Sequence, residues 1–226
     1  MKTIIYIDGY NLYYGCLKHS EDKWLDLRKL FSNILATQSP HSELVQIKYF
    51  TADIKAAIAS NGQAAMQAQQ SYHRALQALY PNEVDIIKGY YSLEKANLPR
   101  FQSPPDKSVQ VAVWKLEEKQ TDVNIALHAY RDVCRLDIRH IVIVSNDTDL
   151  APALQLIRQD YGDTINIGVV IPTRKSIASS RRPGNKQLSS SANWTRKYIT
   201  DAELSRNHLP DLIPTRKKPI RKPQYW

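Results

Sequence analysis

The chain is predicted to fold as an α/β domain wound around a mostly parallel sheet, and three observations carry that expectation. Two apolar runs, Ile4-Ile5-Tyr6-Ile7 and Ile141-Val142-Ile143-Val144, are short and lack a polar face, the pattern of strands buried on both sides. Each stops at acids: Asp8-Gly9 after the first, and Asp147-Thr148-Asp149 after Ser145-Asn146 in the second. Strand-like and helix-like stretches alternate along the chain, the βαβα order of a parallel sheet.

Residues 2–8 form the first expected strand, followed by a helix over 12–18. Asp26 can cap a second helix over about 27–35, because its carboxylate can accept from first-turn N–H groups. Residues 44–51 read as the next strand, and the Ala/Gln-rich stretch 63–80 as a long helix stopped by Pro81. Residues 84–92 and 109–117 look extended around a Pro-rich stretch, either as a hairpin extension or as a strand with an access loop. A helix over 122–135, a strand over 139–145, a helix over 149–161 and a strand over 164–171 complete the core, which Pro172 is expected to end. The boundaries read as a domain over 1–172, a basic loop with a helical appendage over 173–213, and a disordered basic tail over 214–226.

A chain of 226 residues with 42% hydrophobic content can bury the core of one ordinary domain. No apolar stretch approaches the roughly 18 to 20 residues that span a bilayer, and the first residues enter a strand directly. A cytoplasmic protein with no membrane segment is expected. Cys16 and Cys134 fall in expected helices without a CxxC or a Cys/His set, so they read as reduced packing residues, not zinc ligands. The net charge of +9 is uneven: residues 1–163 hold 18 Lys/Arg against 19 Asp/Glu, whereas 164–226 hold 13 against 3. Arg174, Lys175, Arg181, Arg182, Lys186, Arg196 and Lys197 accumulate where there is no acid, and Arg216, Lys217 and Lys218 follow in the tail. Such a run is either a phosphate-tracking surface, with Trp194 and Tyr198 offering stacking faces, or a solvated loop.

In open α/β sheets, ligands collect outside the carboxyl ends of the strands, where strand order reverses. Asp8, Asp147 and Asp149 should meet there, and Asp122 opens a helix, where the dipole alone would also favour an acid. Crowded carboxylates raise one another's pKa unless a cation neutralises them, and oxygen ligands suit Mg²⁺ or Mn²⁺. Asn11 could orient Asp8, hold a water, or cap a helix; Ser145 and Thr148 read mainly as capping residues. The six histidines lack metal spacing, no Ser/His/Asp triad is legible, and His128 reads as a helix-surface residue.

Tyr6-Ile7-Asp8-Gly9-Tyr10-Asn11, Thr121-Asp122-Val123 and Ser145-Asn146-Asp147-Thr148-Asp149-Leu150 together resemble the NYN domain, a relative of the PIN-like metal-dependent ribonucleases. The resemblance covers about residues 1–172 and implies a Rossmann-like, three-layer α/β/α domain. It further implies an acidic Mg²⁺ or Mn²⁺ site at Asp8, Asp122, Asp147 and Asp149, with Asn11 as the accompanying polar residue. Asn146 stands where many members carry Gly, which changes the loop backbone and leaves both acids in place. The expected activity is endoribonuclease cleavage by a metal-activated water, with RNA as partner and a homo-oligomer allowed. A non-catalytic RNA-binding or regulatory module is the alternative. An aspartyl-nucleophile phosphatase would need a second acid where Tyr10 stands. Some similar sequences carry a pyridine-compound hydroxylase name, but this chain has seven glycines and no GxGxxG for a dinucleotide.

Overall fold

Strand β1 (Lys2–Asp8) runs through the middle of the molecule: Ile5 and Ile7 enter one core, Ile4 and Tyr6 the other. Alternation of side chains across a strand explains how one apolar run serves both. The computed structural model describes residues 1–178, 186–224 and 226. Parallel to β1 lie β2 (Glu43–Ala52) on one side and β5 (His140–Val144) on the other. The first part of β3 (Val84–Pro99) extends the sheet beyond β2, and β6 (Asn166–Val170) extends it beyond β5, again in parallel. Strand order therefore reverses between β1 and β5.

Two helical layers cover this sheet. Beyond β1, α1 (Gly9–Leu12) runs into a π-helical turn, Tyr13–Leu17. A Cβ on Gly15 in that turn would lie 1.7 Å from the Pro172 carbonyl oxygen, so only glycine lets the turn pack there. On the Ile5/Ile7 face it joins α2 (Leu27–Gln38) and α3 (Gly62–Leu79). Asp26 caps α2 as expected, accepting from the Lys29 N–H at 2.9 Å. The Ile4/Tyr6 face packs on α4 (Thr121–Arg135) and α5 (Ala151–Tyr161). There Asp132 of α4, 3% exposed, accepts from the Tyr6 hydroxyl at 3.0 Å and forms a buried ion pair with Lys48. Among the described residues no helix is long and apolar enough to cross a membrane.

The two extended segments in the middle of the chain form a hairpin. Past Gly89, β3 leaves β2 and pairs with antiparallel β4 (Gln110–Lys119), from Tyr90 opposite Lys119 to Pro99 opposite Gln110. Trp114 on this arm is 71% exposed.

Beyond Pro172 the structure departs from the expectation. After α6 (Lys175–Ala178) and α7 (Lys186–Ser190), β7 (Trp194–Arg196) adds a seventh strand parallel to β6, giving the order β4-β3-β2-β1-β5-β6-β7. The expected helical appendage thus contains a strand as well, as α7, β7 and α8 (Asp201–Ser205), the last held by a capping box between Thr200 and Glu203. β8 (Leu212–Ile213), at the end of the expected appendage, pairs antiparallel with β9 (Ile220–Arg221), inside the stretch expected to be disordered, and this ribbon buries Ile213 and Ile220 in the core over α2 and α3. Two isolated isoleucines among prolines and lysines are anchored by the body and give no periodic pattern of their own. Cys16 is buried as expected, whereas Cys134 is exposed and accepts from the Tyr161 hydroxyl at 3.1 Å; both are free thiols.

Candidate metal centre

Asp8 ends β1 and caps α1, and its carboxylate is held from three directions. The Asn11 backbone N–H donates to it at 2.9 Å, the Asn11 side-chain amide at 2.6 Å and the Ser145 hydroxyl at 2.9 Å. Gly9 makes this turn possible, since a Cβ there would lie 2.6 Å from the Phe50 carbonyl oxygen. Ser145 is fully buried at the end of β5, and its oxygen also accepts from the Asp147 N–H at 3.0 Å. Asp147 in turn caps the short helical turn Thr148–Leu150, accepting from the Asp149 N–H at 3.0 Å. A chain of hydrogen bonds therefore links the acids that end β1 and β5. Asn11 orients Asp8 and is not itself the helix cap. Burial pushes the Asp8 carboxyl up to about 6, with these hydrogen bonds pulling the other way.

Asp122 arrives from the opposite wall in the first turn of α4, immediately after Gln120, which adopts a left-handed φ of 73°. Its carboxyl is pushed up to about 6, first by burial and then by the negative charges of Asp8, Asp147 and Asp149. Gln120 occupies the N-cap position of α4 without a side-chain cap bond, and Asp122 lies in the first turn, where the helix dipole also favours an acid. Glu118, at the returning end of β4, completes the acidic wall; it accepts from the Thr121 hydroxyl at 2.6 Å and burial raises its pKa. The arm can close onto α4 because residue 89 is glycine: a Cβ there would lie 2.4 Å from the Lys119 carbonyl oxygen.

Asp8, Asn11, Glu118, Asp122, Asp147 and Asp149 line one cleft of about 510 Å³, together with Tyr10, Tyr14 and Tyr91. Among the described residues no Lys or Arg lines it. The five predicted site residues are thus brought together. Glu118 is not legible in the sequence, because an acid in Lys115-Leu116-Glu117-Glu118-Lys119 reads as a solvated strand face until the hairpin folds back. Ser145 does more than cap; its signal is a small hydroxyl between a buried strand and an acid.

Among the described residues no three His, Cys, Asp or Glu side chains stand as a ready-made metal cage. The donor chemistry nevertheless fits a hard ion: carboxylate, amide and hydroxyl oxygens, no Lys or Arg among the described lining residues, and two carboxyls held up by burial. Mg²⁺ keeps several waters and needs only one or two direct carboxylates, so an open cleft of this kind suits it better than a closed cage would.

The basic residues separate into two groups. Arg174 donates to the Cys16 carbonyl oxygen at 2.7 Å and pairs with Asp22 and Asp201, and Arg196 forks onto Glu203 at 2.6 and 2.7 Å. Arg174 clasps the C-terminal part to the body and Arg196 ties β7 to α8, which corrects their reading as open phosphate contacts. Lys175, Lys186, Lys197, Arg216, Lys217 and Lys218 are exposed. Arg181 and Arg182 lie outside the described residues. Trp194 does not offer a free stacking face, because it packs over Gly168 and donates to His140 at 3.2 Å. His128 is half-buried against the edge of Phe50 and is not a plain surface residue.

A curled, mostly parallel sheet between helical layers, with an acidic cleft at its reversal point, places the molecule in the PIN-like class of α/β domains. The chain belongs to the NYN domain family, whose profile matches residues 2–183, and membership points to a nuclease-type function. It is 42% identical over 245 aligned positions to 6-hydroxy-3-succinoylpyridine 3-monooxygenase HspA of Pseudomonas putida, covering 100% of this chain and 75% of that protein. A crystal structure of a protein of unknown function from Vibrio parahaemolyticus shares the fold at a TM-score of 0.50 and 20% identity, covering 88% of this chain and 93% of that one.

Proposed function

We propose that the protein is a Mg²⁺- or Mn²⁺-dependent endoribonuclease, and the observation that carries this reading is the convergence of Asp8, Asp122, Asp147 and Asp149 on one acidic cleft. A divalent ion bound there would acidify an attacking water and neutralise charge on the scissile phosphate. Asp8, Asp122, Asp147 and Asp149 are the residues to hold it. Asn11 and Ser145 keep the Asp8 carboxylate in one orientation, as outer partners of metal-binding groups do. Glu118 lines the same cleft with its carboxyl raised by burial, and it is the group we assign to hand a proton to the departing alkoxide oxygen. The exposed lysines and Arg216 on the C-terminal part supply attraction for the polyanion, since residues 1–163 are nearly neutral.

The test is incubation of the purified chain with end-labelled RNA and single-stranded DNA in Mg²⁺, Mn²⁺ or EDTA. Internal cleavage of RNA that needs the metal supports the reading; intact RNA under all metal conditions overturns it. A second reading, hydroxylation of a pyridine compound, rests on the 42% identity to the monooxygenase. It is tested by substrate-dependent consumption of NADH and O₂ with 6-hydroxy-3-succinoylpyridine, which a nuclease would not show.

A further inference from the structure

Beside the acidic cleft lies a second cavity, of about 290 Å³, which shares Tyr10, Tyr14, Tyr91, Leu116 and Glu118 with it. Its deeper wall is aromatic: Tyr13, Tyr49, Tyr72 and Trp226. Lys18, Lys23 and Lys55 also line it, and Glu118 is the one acid among its lining residues. The acidic cleft and this basic, aromatic cavity therefore adjoin along one shared wall.

Two polar groups in this cavity have no visible purpose in the fold. His73 of α3 is 5% exposed, and neither of its ring nitrogens has a hydrogen-bond partner among the described residues. The indole nitrogen of Trp226 is likewise buried and unpartnered. Interiors seldom leave such atoms unmatched, and an exception marks a place where something else binds. Burial lowers the His73 pKa to about 4, so near neutrality the ring carries one N–H donor and one bare acceptor nitrogen. Histidine and tryptophan together thus present donors and an acceptor in a cavity walled by rings.

We infer that this cavity binds a planar nitrogen-heteroaromatic ring carrying an anionic group. The tyrosine and tryptophan faces stack the ring, His73 and the Trp226 N–H meet its polar edge, and the lysines meet the anion. A plain hydrocarbon ring would leave the buried nitrogens unmatched. The volume falls at the small end of the roughly 300 to 1,000 Å³ typical of ligand sites, which suits one ring system with a short substituent and not a length of polymer. The ring of a nucleotide and a free pyridine carboxylate share this chemistry. The inference stands on the cavity alone and does not require the nuclease reading.

Isothermal titration of the full chain with AMP, GMP, CMP, UMP, nicotinate, benzoate and ribose 5-phosphate tests it. At least one heteroaromatic anion should bind more tightly than benzoate, which lacks ring nitrogen, and than ribose 5-phosphate, which lacks the ring. Preference for the nucleotides assigns the cavity to a base of the substrate, and preference for nicotinate assigns it to a free heterocycle. His73→Leu should weaken that binding by about fivefold to tenfold while raising the melting temperature, because it removes unpartnered buried nitrogens. Tyr14→Ala, at a side chain 44% exposed and so of little consequence for folding, should weaken it also. No binding above ribose 5-phosphate, or undiminished binding in both variants, overturns the inference. Loss of metal-dependent RNA cleavage with ring binding intact would overturn only the nuclease reading.

Discussion

Ser145 reaches from the end of β5 to Asp8, 137 positions away in the chain, and so fixes one acid while shaping the loop of two others. Removing its oxygen leaves the Asp8 carboxylate short of a donor and the Asp147 N–H without its acceptor. Ser145→Ala should lower RNA cleavage or Mn²⁺ affinity by about 10- to 100-fold, read in single-turnover assays across a Mn²⁺ titration; an unchanged rate would show that the hydroxyl is only structural. The acids were legible in the sequence because strand ends and helix starts can be placed from periodicity, and acids there converge whatever the details of packing. Glu118 was not, because its position depends on how far the arm folds back. The histidines make a second prediction at this scale. His73 and His140 are both lowered from 6.5 to about 4 by burial. The Trp194 N–H donates to His140 Nε2, so the proton of the neutral ring sits on Nδ1, facing Ser42. Between pH 4 and 6.5 the unfolded chain binds protons that the folded one refuses, so these two groups make stability rise with pH through that window and level off above it. Asp8 and Asp122, raised to about 6, act in the opposite sense. The contribution of His73 is therefore isolated by difference: the stability of His73→Leu relative to wild type should shift by up to about 3 kcal/mol from pH 6.5 to pH 4, measured by urea unfolding. A difference that stays constant with pH would contradict it.

At the scale of elements, β1, β5 and β6 were legible because each is a short apolar run rich in β-branched residues with a core on both faces. The short strand β7 and the ribbon β8–β9 were not, since pieces of two or three residues are imposed by neighbours and carry no period. A buried pair that no periodicity reveals ties α4 to β2: Lys48 and Asp132 are 4% and 3% exposed, with the Tyr6 hydroxyl donating to the same carboxylate. Breaking such a pair on one side leaves a charge buried without a counter-charge. Asp132→Ala should therefore lower stability by about 3 to 5 kcal/mol, whereas Lys48→Met with Asp132→Leu should recover most of that loss. Equal destabilisation by the single and double changes in urea titrations would show that packing, not charge, matters there.

For the whole molecule, charge and fold are distributed differently from what the sequence suggested. The C-terminal part is basic, yet Arg174 and Arg196 are spent on ion pairs within the fold, and the ribbon buries Ile213 and Ile220. Deleting it would confuse lost affinity with lost stability, so neutralisation is the cleaner test. Changing Arg216, Lys217 and Lys218 to Gln should leave the melting temperature unchanged, weaken RNA binding, and make its salt dependence shallower by up to about 0.7 for each lost contact on single strands. Unchanged affinity and slope would mean that these charges only solvate the surface. The central claim, that four aspartates from three separate segments act as one metal-dependent hydrolytic centre, is tested most directly by RNA cleavage as a function of Mn²⁺ in wild type, Asp8→Asn and Asp122→Asn. The account predicts cleavage that EDTA abolishes in the wild type and that neither folded variant shows at any Mn²⁺ concentration; cleavage that persists in either variant would contradict it.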